Sequence, residues 1–215
     1  QVGGIVKLTG FILKTSLIIE LIGAALLAPV FCNDFGIAKG LWYSLFHSIS
    51  AFCNAGFDLF GVREPFSSLT SYHSNIYLNI IIMLLIITGG IGFLVWGDIG
   101  THKHRFRRFS LQSKVVLMTS AVLIILPALY FFFYEYDRES IHNRTIHALF
   151  QSVTTRTAGF NTTDLAAMDE SGTAIMIILM LIGGSPGSTA GGMKTATIAV
   201  LFLSAITVFS RRNDV

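Results

Sequence analysis

The chain has 215 residues, of which 53% are hydrophobic and only 13% are charged. About a quarter of the residues of an average soluble domain are charged, so this composition excludes an ordinary soluble protein and indicates an integral membrane protein. The net charge of +3 does not indicate nucleic-acid binding, because no basic patch is interleaved with aromatic residues that could stack on bases.

Three apolar stretches are predicted to cross the bilayer. A helix needs about 20 apolar residues to span about 30 Å of hydrocarbon, and Ile76–Trp96 and Val115–Tyr134 reach this length without a charge. Thr15–Phe31 is shorter and contains Glu20, but polar or charged residues flank it on both sides, so we predict a third span there. The predicted fold is an all-α integral membrane protein.

Basic residues near the ends of spans indicate the cytoplasmic side. The connection 98–114 is rich in Lys and Arg, and Arg211 and Arg212 follow the last apolar stretch. We therefore predict a multi-pass protein of the plasma membrane with residues 98–114 and both chain ends in the cytoplasm. The segments on the other side are richer in Asp and Glu, which would concentrate cations at an external mouth.

One short pattern occurs twice, as FHSISAFCNAGF at 46–57 and FQSVTTRTAGF at 150–160. Each copy is too short to cross the membrane and lies between spans. Each is therefore predicted to be a re-entrant pore loop, in which a half-helix descends and an extended strand returns. The chain then contains a span, loop, span unit over 1–97, the basic cytoplasmic connection 98–114 and a second such unit over 115–215.

The residues before each repeated glycine are the candidate ion ligands. Glycine lets the backbone turn its carbonyls toward an ion, and carbonyls replace a hydration shell without a full charge that would trap the ion. The candidate filter carbonyls are those of Cys53, Asn54, Ala55 and Gly56 in the first loop and of Arg156, Thr157, Ala158 and Gly159 in the second. The alternative is that each Ala-Gly-Phe sequence only ends a helix in a packed turn.

The last apolar stretch, Thr173–Phe209, must be interrupted. As one helix its 37 residues would be roughly 55 Å long, which exceeds the membrane. The sequence GGSPGSTAGG is predicted to break it and, as irregular backbone at membrane depth, to border the ion path. The residues concerned are Gly183, Gly184, Ser185, Pro186, Gly187, Ser188, Thr189, Ala190, Gly191, Gly192 and, close to them, Lys194.

Two alternatives stay open for this stretch. The glycines could instead form a kink that lets helices pack closely. Lys194 could repel a cation, pair with a carboxylate or extend its ammonium group to the membrane interface.

Four further side chains lie near the predicted pathway. Arg156 would oppose conduction if it pointed into the path, so it is expected to turn away and pair with an acid such as Asp164. Glu20 is expected to hydrogen-bond a neighbouring helix, with a role in transport as the alternative. His47 and His147 are expected to be hydrogen-bonded structural residues, with pH sensing as the alternative.

Two enzyme-like patterns occur in the glycine-rich stretch, and neither is expected to be functional. Gly183–Gly187 matches GxSxG, but a nucleophile elbow needs a preceding strand and Asp and His partners. Gly187–Thr195 almost matches a phosphate-binding loop, but Met193 interrupts it and its flanks are membrane helix. We therefore predict that the protein is not an enzyme and has no cofactor.

The motifs resemble those of the Trk, Ktr and HKT potassium transporters, and are most similar to the bacterial Ktr-type membrane subunit. The resemblance covers essentially the whole chain and rests on SAFCNAGF at 50–57, TGGIGF at 88–93, TTRTAGFNTTD at 154–164 and GGSPGSTAGGMKT at 183–195. It implies a potassium-channel-like architecture of four span, loop, span units around one pore. The chain corresponds to the second and third units, so we expect a fragment.

The resemblance also implies function and partners. Gly56 and Gly159 would be filter glycines, and residues 183–192 the gate below the filter. The substrate would be potassium, taken up through the filter; sodium-selective or sodium-coupled transport and a non-conducting regulatory or assembly segment are the alternatives. Homodimerisation and a cytosolic nucleotide-binding regulatory ring docked on residues 101–114 are implied as well.

Overall fold

The computed structural model describes residues 2–62, 65–103 and 105–209. These residues form helices and loops, and the only β-type pairing among them is a single bridge between Ile182 and Met193. Two helical stretches, Gly4–Phe35 and Leu111–Glu135, are long and apolar enough to cross a membrane, and a bent pair of helices could form a third span. The all-α membrane fold predicted from the sequence is confirmed.

Eight α-helices follow one another in the described part of the chain. They are α1 Val2–Phe35, α2 Ile37–Phe52, α3 Ile76–Ile91, α4 Phe93–His102, α5 Leu111–Tyr130, α6 Ile141–Thr154, α7 Glu170–Leu181 and α8 Thr195–Phe209. A π-helical turn, Phe131–Glu135, extends α5. Short 3-10 turns occupy Phe60–Val62, Thr70–Tyr72, Phe106–Arg108 and Leu165–Ala167.

The first unit folds by turning α2 back along α1. The reversal takes a single residue, Gly36, whose φ of 79° is unfavourable for a residue with a side chain. The helices then pack so closely that a Cβ on Gly40 would lie 2.4 Å from the Cα of Cys32. Further along, the Ser48 hydroxyl donates to the Glu20 carbonyl at 2.7 Å, so α2 is held on α1 as a half-helix.

Ile76–Trp96, predicted as one helical span, is divided between two helices in the structure. Helix α3 ends at Ile91, and α4 leaves it at an angle of 93°. The bend is at Gly92, whose φ of 93° and ψ of 149° are accessible essentially to glycine alone. The first amide of α4 keeps a partner, because Phe93 N donates to Gly187 O at 2.9 Å. We call Gly89–Gly92 the elbow.

The second unit begins at a well-capped helix. The Ser110 side chain accepts a hydrogen bond from Ser113 N at the start of α5, and Ser140 does the same for Asn143 N at the start of α6. The carboxylate of Asp98 accepts hydrogen bonds from the backbone and hydroxyl of Ser110 and from the hydroxyl of Ser113. The α4 helix is thereby tied to α5. Arg211 and Arg212, on which part of the predicted orientation rests, lie outside the described residues.

One hydrophobic core joins the two units. It combines buried residues of α3 with Leu27 and Phe31 of α1, Phe52 of α2, Phe150 of α6 and Phe160. A smaller cluster holds α7, through Met176 and Leu179, against the end of α5 and against α6. The two half-helices α2 and α6 are therefore fixed around α3, and the loops that follow them meet.

Candidate ion pathway

The first pore loop begins where α2 ends at Phe52. Its backbone alternates in sign of φ: Asn54 has a φ of 51° and Gly56 a φ of 72°. The turn is fixed by the Ser50 hydroxyl, which donates to the Phe57 carbonyl at 2.7 Å and so spans the loop. The loop is therefore an ordered structure in which two left-handed residues flank Ala55.

The second loop, after α6, repeats this geometry although it is one residue shorter. Thr157 has a φ of 67° and Gly159 a φ of 82°. The Thr154 hydroxyl donates to the Phe160 carbonyl at 2.6 Å, as the Ser50 hydroxyl does in the first loop. A β-branched residue such as Thr157 is uncommon at positive φ and is held there only by its surroundings.

The two loops meet at their glycines. A Cβ on Gly159 would lie 3.3 Å from the Cα of Gly56, and a Cβ on Gly56 would lie only 2.5 Å from the carbonyl oxygen of Ala158. The Ala158 carbonyl thus faces the first loop. The structure therefore brings the two predicted filter loops together. Each loop has a glycine at the point of contact, where the two backbones approach each other closely.

The carbonyls predicted to bind ions are available. No donor among the described residues reaches the carbonyl oxygens of Cys53, Asn54, Ala55, Gly56, Arg156, Thr157, Ala158 or Gly159. Asn54, Arg156 and Ala158 are buried residues, and because buried carbonyls are normally paired, their unpaired carbonyls are unusual. Backbone that alternates between left- and right-handed conformations turns successive carbonyls toward one side rather than to opposite sides.

The predicted pairing of Arg156 with Asp164 is wrong. Arg156 is buried and donates from Nη2 to the Ser120 hydroxyl of α5 at 3.3 Å. Asp164 is exposed, and its carboxylate accepts a hydrogen bond from Ala166 N at the start of a 3-10 turn. The reason is the packing of α5 against α6, which places the Ser120 hydroxyl beside the guanidinium group.

A small cavity lies behind the two loops. Asn54, Ile86, Gly90, Arg156 and Gly184 are among the residues that line it, and it offers about 10 Å³ of water-accessible space. The Asn54 Oδ1 and Arg156 Nε atoms are both buried and have no partner among the described residues. The space matches a single water molecule, which could accept from Arg156 and donate to Asn54.

The segment 182–194 separates α7 from α8, and we call it the gate segment because residues 183–192 were predicted to form a gate. It closes on itself, since Gly183 N donates to Met193 O at 3.0 Å and Gly184 N donates to Gly191 O at 3.2 Å. A Cβ on Gly183 would lie 1.6 Å from the Gly191 carbonyl oxygen, so this turn requires glycine. The ammonium group of Lys194 donates to the Ala190 carbonyl at 2.8 Å.

The gate segment is held on the elbow of the first unit. The backbone amide and the hydroxyl of Ser185 donate to the Gly90 carbonyl at 3.0 Å and 2.8 Å, and Thr189 N donates to Gly89 O at 3.3 Å. A Cβ on Gly92 would lie 2.8 Å from the Pro186 carbonyl oxygen. The bend in α3–α4 therefore forms the surface on which the segment rests.

The gate segment also contacts both pore loops, which the sequence reasoning missed. Thr189 donates from its hydroxyl to Phe52 O at 2.7 Å and accepts from Asn54 Nδ2 at 3.1 Å. Gly191 N donates to the Thr157 hydroxyl at 3.2 Å. The hydroxyl residues among the glycines were the sequence signal for these contacts, because a polar side chain at membrane depth needs a hydrogen-bond partner.

The two histidines near the half-helices are hydrogen-bonded. Buried His47 contacts the Tyr43 carbonyl through Nδ1 at 2.7 Å, and its Nε2 accepts from Leu59 N at 3.3 Å. His147 lies 2.6 Å from the Glu139 carboxylate, next to the Tyr136 ring. Burial raises the pKa of Tyr136 to about 12, so its hydroxyl stays protonated at neutral pH.

Glu20 and Cys53 meet at the side of the first loop. The Cys53 Sγ lies 3.9 Å from the Glu20 Oε1, a distance at which a thiol can donate a weak hydrogen bond. The Glu20 side chain therefore contacts the loop in which Cys53 stands three residues before the glycine. Both cysteines of the chain, Cys32 and Cys53, are free thiols.

Comparison with known proteins gives a consistent result. The TrkH family model, described as cation transport protein, matches residues 1–215. The chain is 41% identical to the potassium/sodium uptake protein NtpJ of Enterococcus hirae, over 99% of this chain and 47% of that protein. It is 38% identical to the Ktr system potassium uptake protein B of Bacillus subtilis, over 99% of this chain and 48% of that protein.

A solved structure shares the fold. The potassium transporter TrkH from Vibrio parahaemolyticus superposes with a TM-score of 0.70 at 21% sequence identity, over 94% of this chain and 43% of that one. The chain spans about half the length of the curated relatives it matches. The family match over the full chain, together with the repeated loops and the elbow, shows that this chain belongs to the TrkH family of cation transport proteins.

Proposed function

We propose that the protein to which these residues belong takes up potassium through a filter of backbone carbonyls. The observation that carries this proposal is the set of unpaired carbonyls on two facing loops of alternating backbone conformation. A potassium ion gives up its hydration shell only where several oxygens replace it together. Two loops supply part of such a shell, so we propose that two further loops complete it.

The membrane potential drives the uptake. Moving one charge inward through 100 mV yields about 2.3 kcal/mol, so passive passage through a filter can accumulate potassium without chemistry performed by this chain. The relatives are named as transporters, and no enzymatic step is needed. The gate segment lies directly against the filter loops and would close the path on their inner side.

A second candidate is transport of sodium in addition to potassium. It is favoured by the name of one relative, a potassium/sodium uptake protein, which is 41% identical to this chain. The observed loops do not distinguish the two ions, because the ring that sets the spacing of the carbonyls includes the loops beyond this chain. Rubidium and sodium flux measured side by side separates the candidates.

We infer further that the protein lies in the plasma membrane with residues 98–114 inside, and that it forms a homodimer. We also infer that a cytosolic nucleotide-binding ring docks on residues 101–114. Arg105, Arg107 and Arg108 support the docking, since all three are exposed next to the start of α5. Replacing the three by Gln should prevent co-purification of the ring. Unchanged co-purification would refute the docking.

The function is tested in liposomes. The complete protein that contains this chain, its Gly159→Ser variant and the 215-residue chain alone are reconstituted separately, and rubidium and sodium influx are recorded. We expect rubidium flux from the complete protein, loss of that flux or a shift toward sodium in Gly159→Ser, and no flux from the chain alone. Equal flux and selectivity in the first two samples would remove the filter assignment.

A further inference from the structure

We propose that Thr189 is a positioning residue for the filter, so that the state of the gate segment sets which cations pass and not only how many. This inference rests on the proposed filter function. It adds a link between the gate segment and the filter, which could otherwise act separately. In the structure that link is a side chain of the gate segment that reaches the backbone of the first pore loop.

The link is a closed set of hydrogen bonds around one hydroxyl. The Thr189 hydroxyl donates to the Phe52 carbonyl at 2.7 Å and accepts from the Asn54 amide at 3.1 Å, while the same amide contacts the Phe52 carbonyl at 3.3 Å. The elbow covers it, because a Cβ on Gly89 would lie 1.9 Å from the Phe52 carbonyl oxygen and 2.8 Å from the Thr189 hydroxyl. Only a group that both donates and accepts can take the position of this hydroxyl.

Asn54, the residue that the Thr189 hydroxyl contacts, has an unfavourable backbone conformation. Asn54 lies two residues before the filter glycine and has a φ of 51°. Side-chain residues stay in the left-handed region only when neighbouring contacts hold them there. The amide of Asn54 is buried, and the hydroxyl that it reaches belongs to the gate segment. Removing the hydroxyl should therefore loosen the loop that carries the predicted ion ligands.

The second loop shows the same arrangement at the same position. Thr157 also lies two residues before its glycine and has a φ of 67°. Its hydroxyl accepts a hydrogen bond from Gly191 N of the gate segment at 3.2 Å. The gate segment thus holds the left-handed residue of each loop, two positions apart in its own sequence. Displacing the segment releases both residues together.

Displacement of a segment that supports the filter has a different effect on transport from displacement of a simple plug. A plug that moves aside changes the flux of rubidium and sodium by the same factor. A segment that also supports the filter changes the ratio of the two fluxes, because the carbonyl spacing changes when the support is lost. The flux ratio therefore separates the two roles.

The test uses the complete protein in liposomes. Thr189→Val removes the hydroxyl at nearly constant shape, Thr189→Ser keeps it, and Thr207→Val removes a hydroxyl in α8 that bonds only to its own helix through Leu203 O. We expect Thr189→Val to lower the rubidium to sodium flux ratio by about fivefold, as the loss of one or two buried hydrogen bonds predicts. Thr189→Ser and Thr207→Val should keep the ratio of the unmodified protein.

Hydrogen exchange supplies a second measurement that does not need transport. The amides of residues 50–57 should exchange faster in Thr189→Val than in Thr189→Ser, because the first loop has lost its support. If Thr189→Val does not yield a monodisperse protein, Thr189→Ala replaces it in both measurements, since the smaller side chain removes the same hydroxyl without adding a methyl contact.

The outcomes are distinct. An unchanged flux ratio and unchanged exchange in Thr189→Val, beside a rubidium-selective unmodified protein, would overturn the coupling and leave the proposed function intact. Equal factors of change for both ions would also overturn it and identify a plug. Absence of rubidium flux in the unmodified protein would refute the proposed function, and exchange of residues 50–57 would then decide whether Thr189 positions the loop.

Discussion

Gly56 and Gly159 face each other across the two pore loops, and the contact is not symmetric. Both have positive φ, but a Cβ on Gly56 would lie 2.5 Å from the Ala158 carbonyl oxygen, whereas a Cβ on Gly159 would come no closer than 3.3 Å to Gly56 Cα. Backbone cannot move aside as a flexible side chain can. The first loop therefore tolerates less change at its glycine than the second.

We expect both Gly→Ala substitutions to reduce rubidium flux of the complete protein, and Gly56→Ala to reduce it more. The left-handed backbone costs a residue with a side chain about 1–2 kcal/mol, which corresponds to about tenfold for Gly159→Ala. Gly56→Ala adds the clash with Ala158. Gly10→Ala in α1, where a Cβ would meet nothing within 4 Å, is the control. A larger loss in Gly159→Ala would contradict the asymmetry.

The elbow gives a prediction about gating. Gly92→Ala adds a Cβ within 2.8 Å of Pro186 O and 3.0 Å of the Ser185 hydroxyl, so it should displace the gate segment from the elbow. We expect higher flux of rubidium together with weaker protection of the Ser185 amide in hydrogen exchange. Gly97→Ala lies five residues further on, with nothing within 4 Å of the added Cβ, and should leave both unchanged. Unchanged exchange in Gly92→Ala would show that the segment does not depend on the bend.

Two equivalent phenylalanines should differ in their effect on stability. Phe160 is fully buried in the core between the units, whereas the equivalent Phe57 is 69% exposed. For the 215-residue chain in detergent, Phe160→Ala should lower the free energy of unfolding by about 3–5 kcal/mol and Phe57→Ala should have little effect. In the complete protein Phe57→Ala should also destabilise if a further unit covers that loop. Thermal unfolding of both lengths checks this, and a large loss for Phe57→Ala in the short chain would contradict it.

The link between α4 and α5 depends on one carboxylate. Asp98 accepts hydrogen bonds from Ser110 N at 3.0 Å, the Ser110 hydroxyl at 2.6 Å and the Ser113 hydroxyl at 2.5 Å. All three hydrogen bonds end on one oxygen, Oδ2. Because Asp98→Asn removes the negative charge that strengthens these bonds, this variant should lower the melting temperature in detergent. Asp169→Asn is the matched control, since Asp169 precedes α7 without a side-chain cap bond. Equal melting temperatures for the two variants would show that the link is not stabilising.

Hydropathy and glycine placement predicted much of this architecture. The glycine-rich stretch 183–192 indicated a helix break, and the structure has α7 ending at Leu181 and α8 beginning at Thr195. The bend at Gly92 could not be predicted in this way, because the apolar stretch continues through it and hydropathy carries no information on the sign of φ. The TGGIG sequence was the available signal.

Contacts between distant residues were the least predictable part. The partner of Arg156 is Ser120, 36 positions earlier, and the partner of Asn54 is Thr189, 135 positions later. Opposite charges suggested Asp164 as the partner of Arg156. The packing of the helices instead places the Ser120 hydroxyl beside the guanidinium group. Such pairs follow from the relative position of helices, which a single sequence does not specify.

The elbow also has a consequence for the order in which the protein is made. The Gly90 carbonyl accepts hydrogen bonds from Ser185, which the ribosome adds 95 residues later. Until then the first unit carries unpaired carbonyls in apolar surroundings, a costly state. The contact between the elbow and the gate segment can therefore form only late in synthesis. A nascent chain that stops before Ser185 leaves the Gly90 carbonyl without this partner, and the uncovered elbow distinguishes it from a chain that contains Ser185.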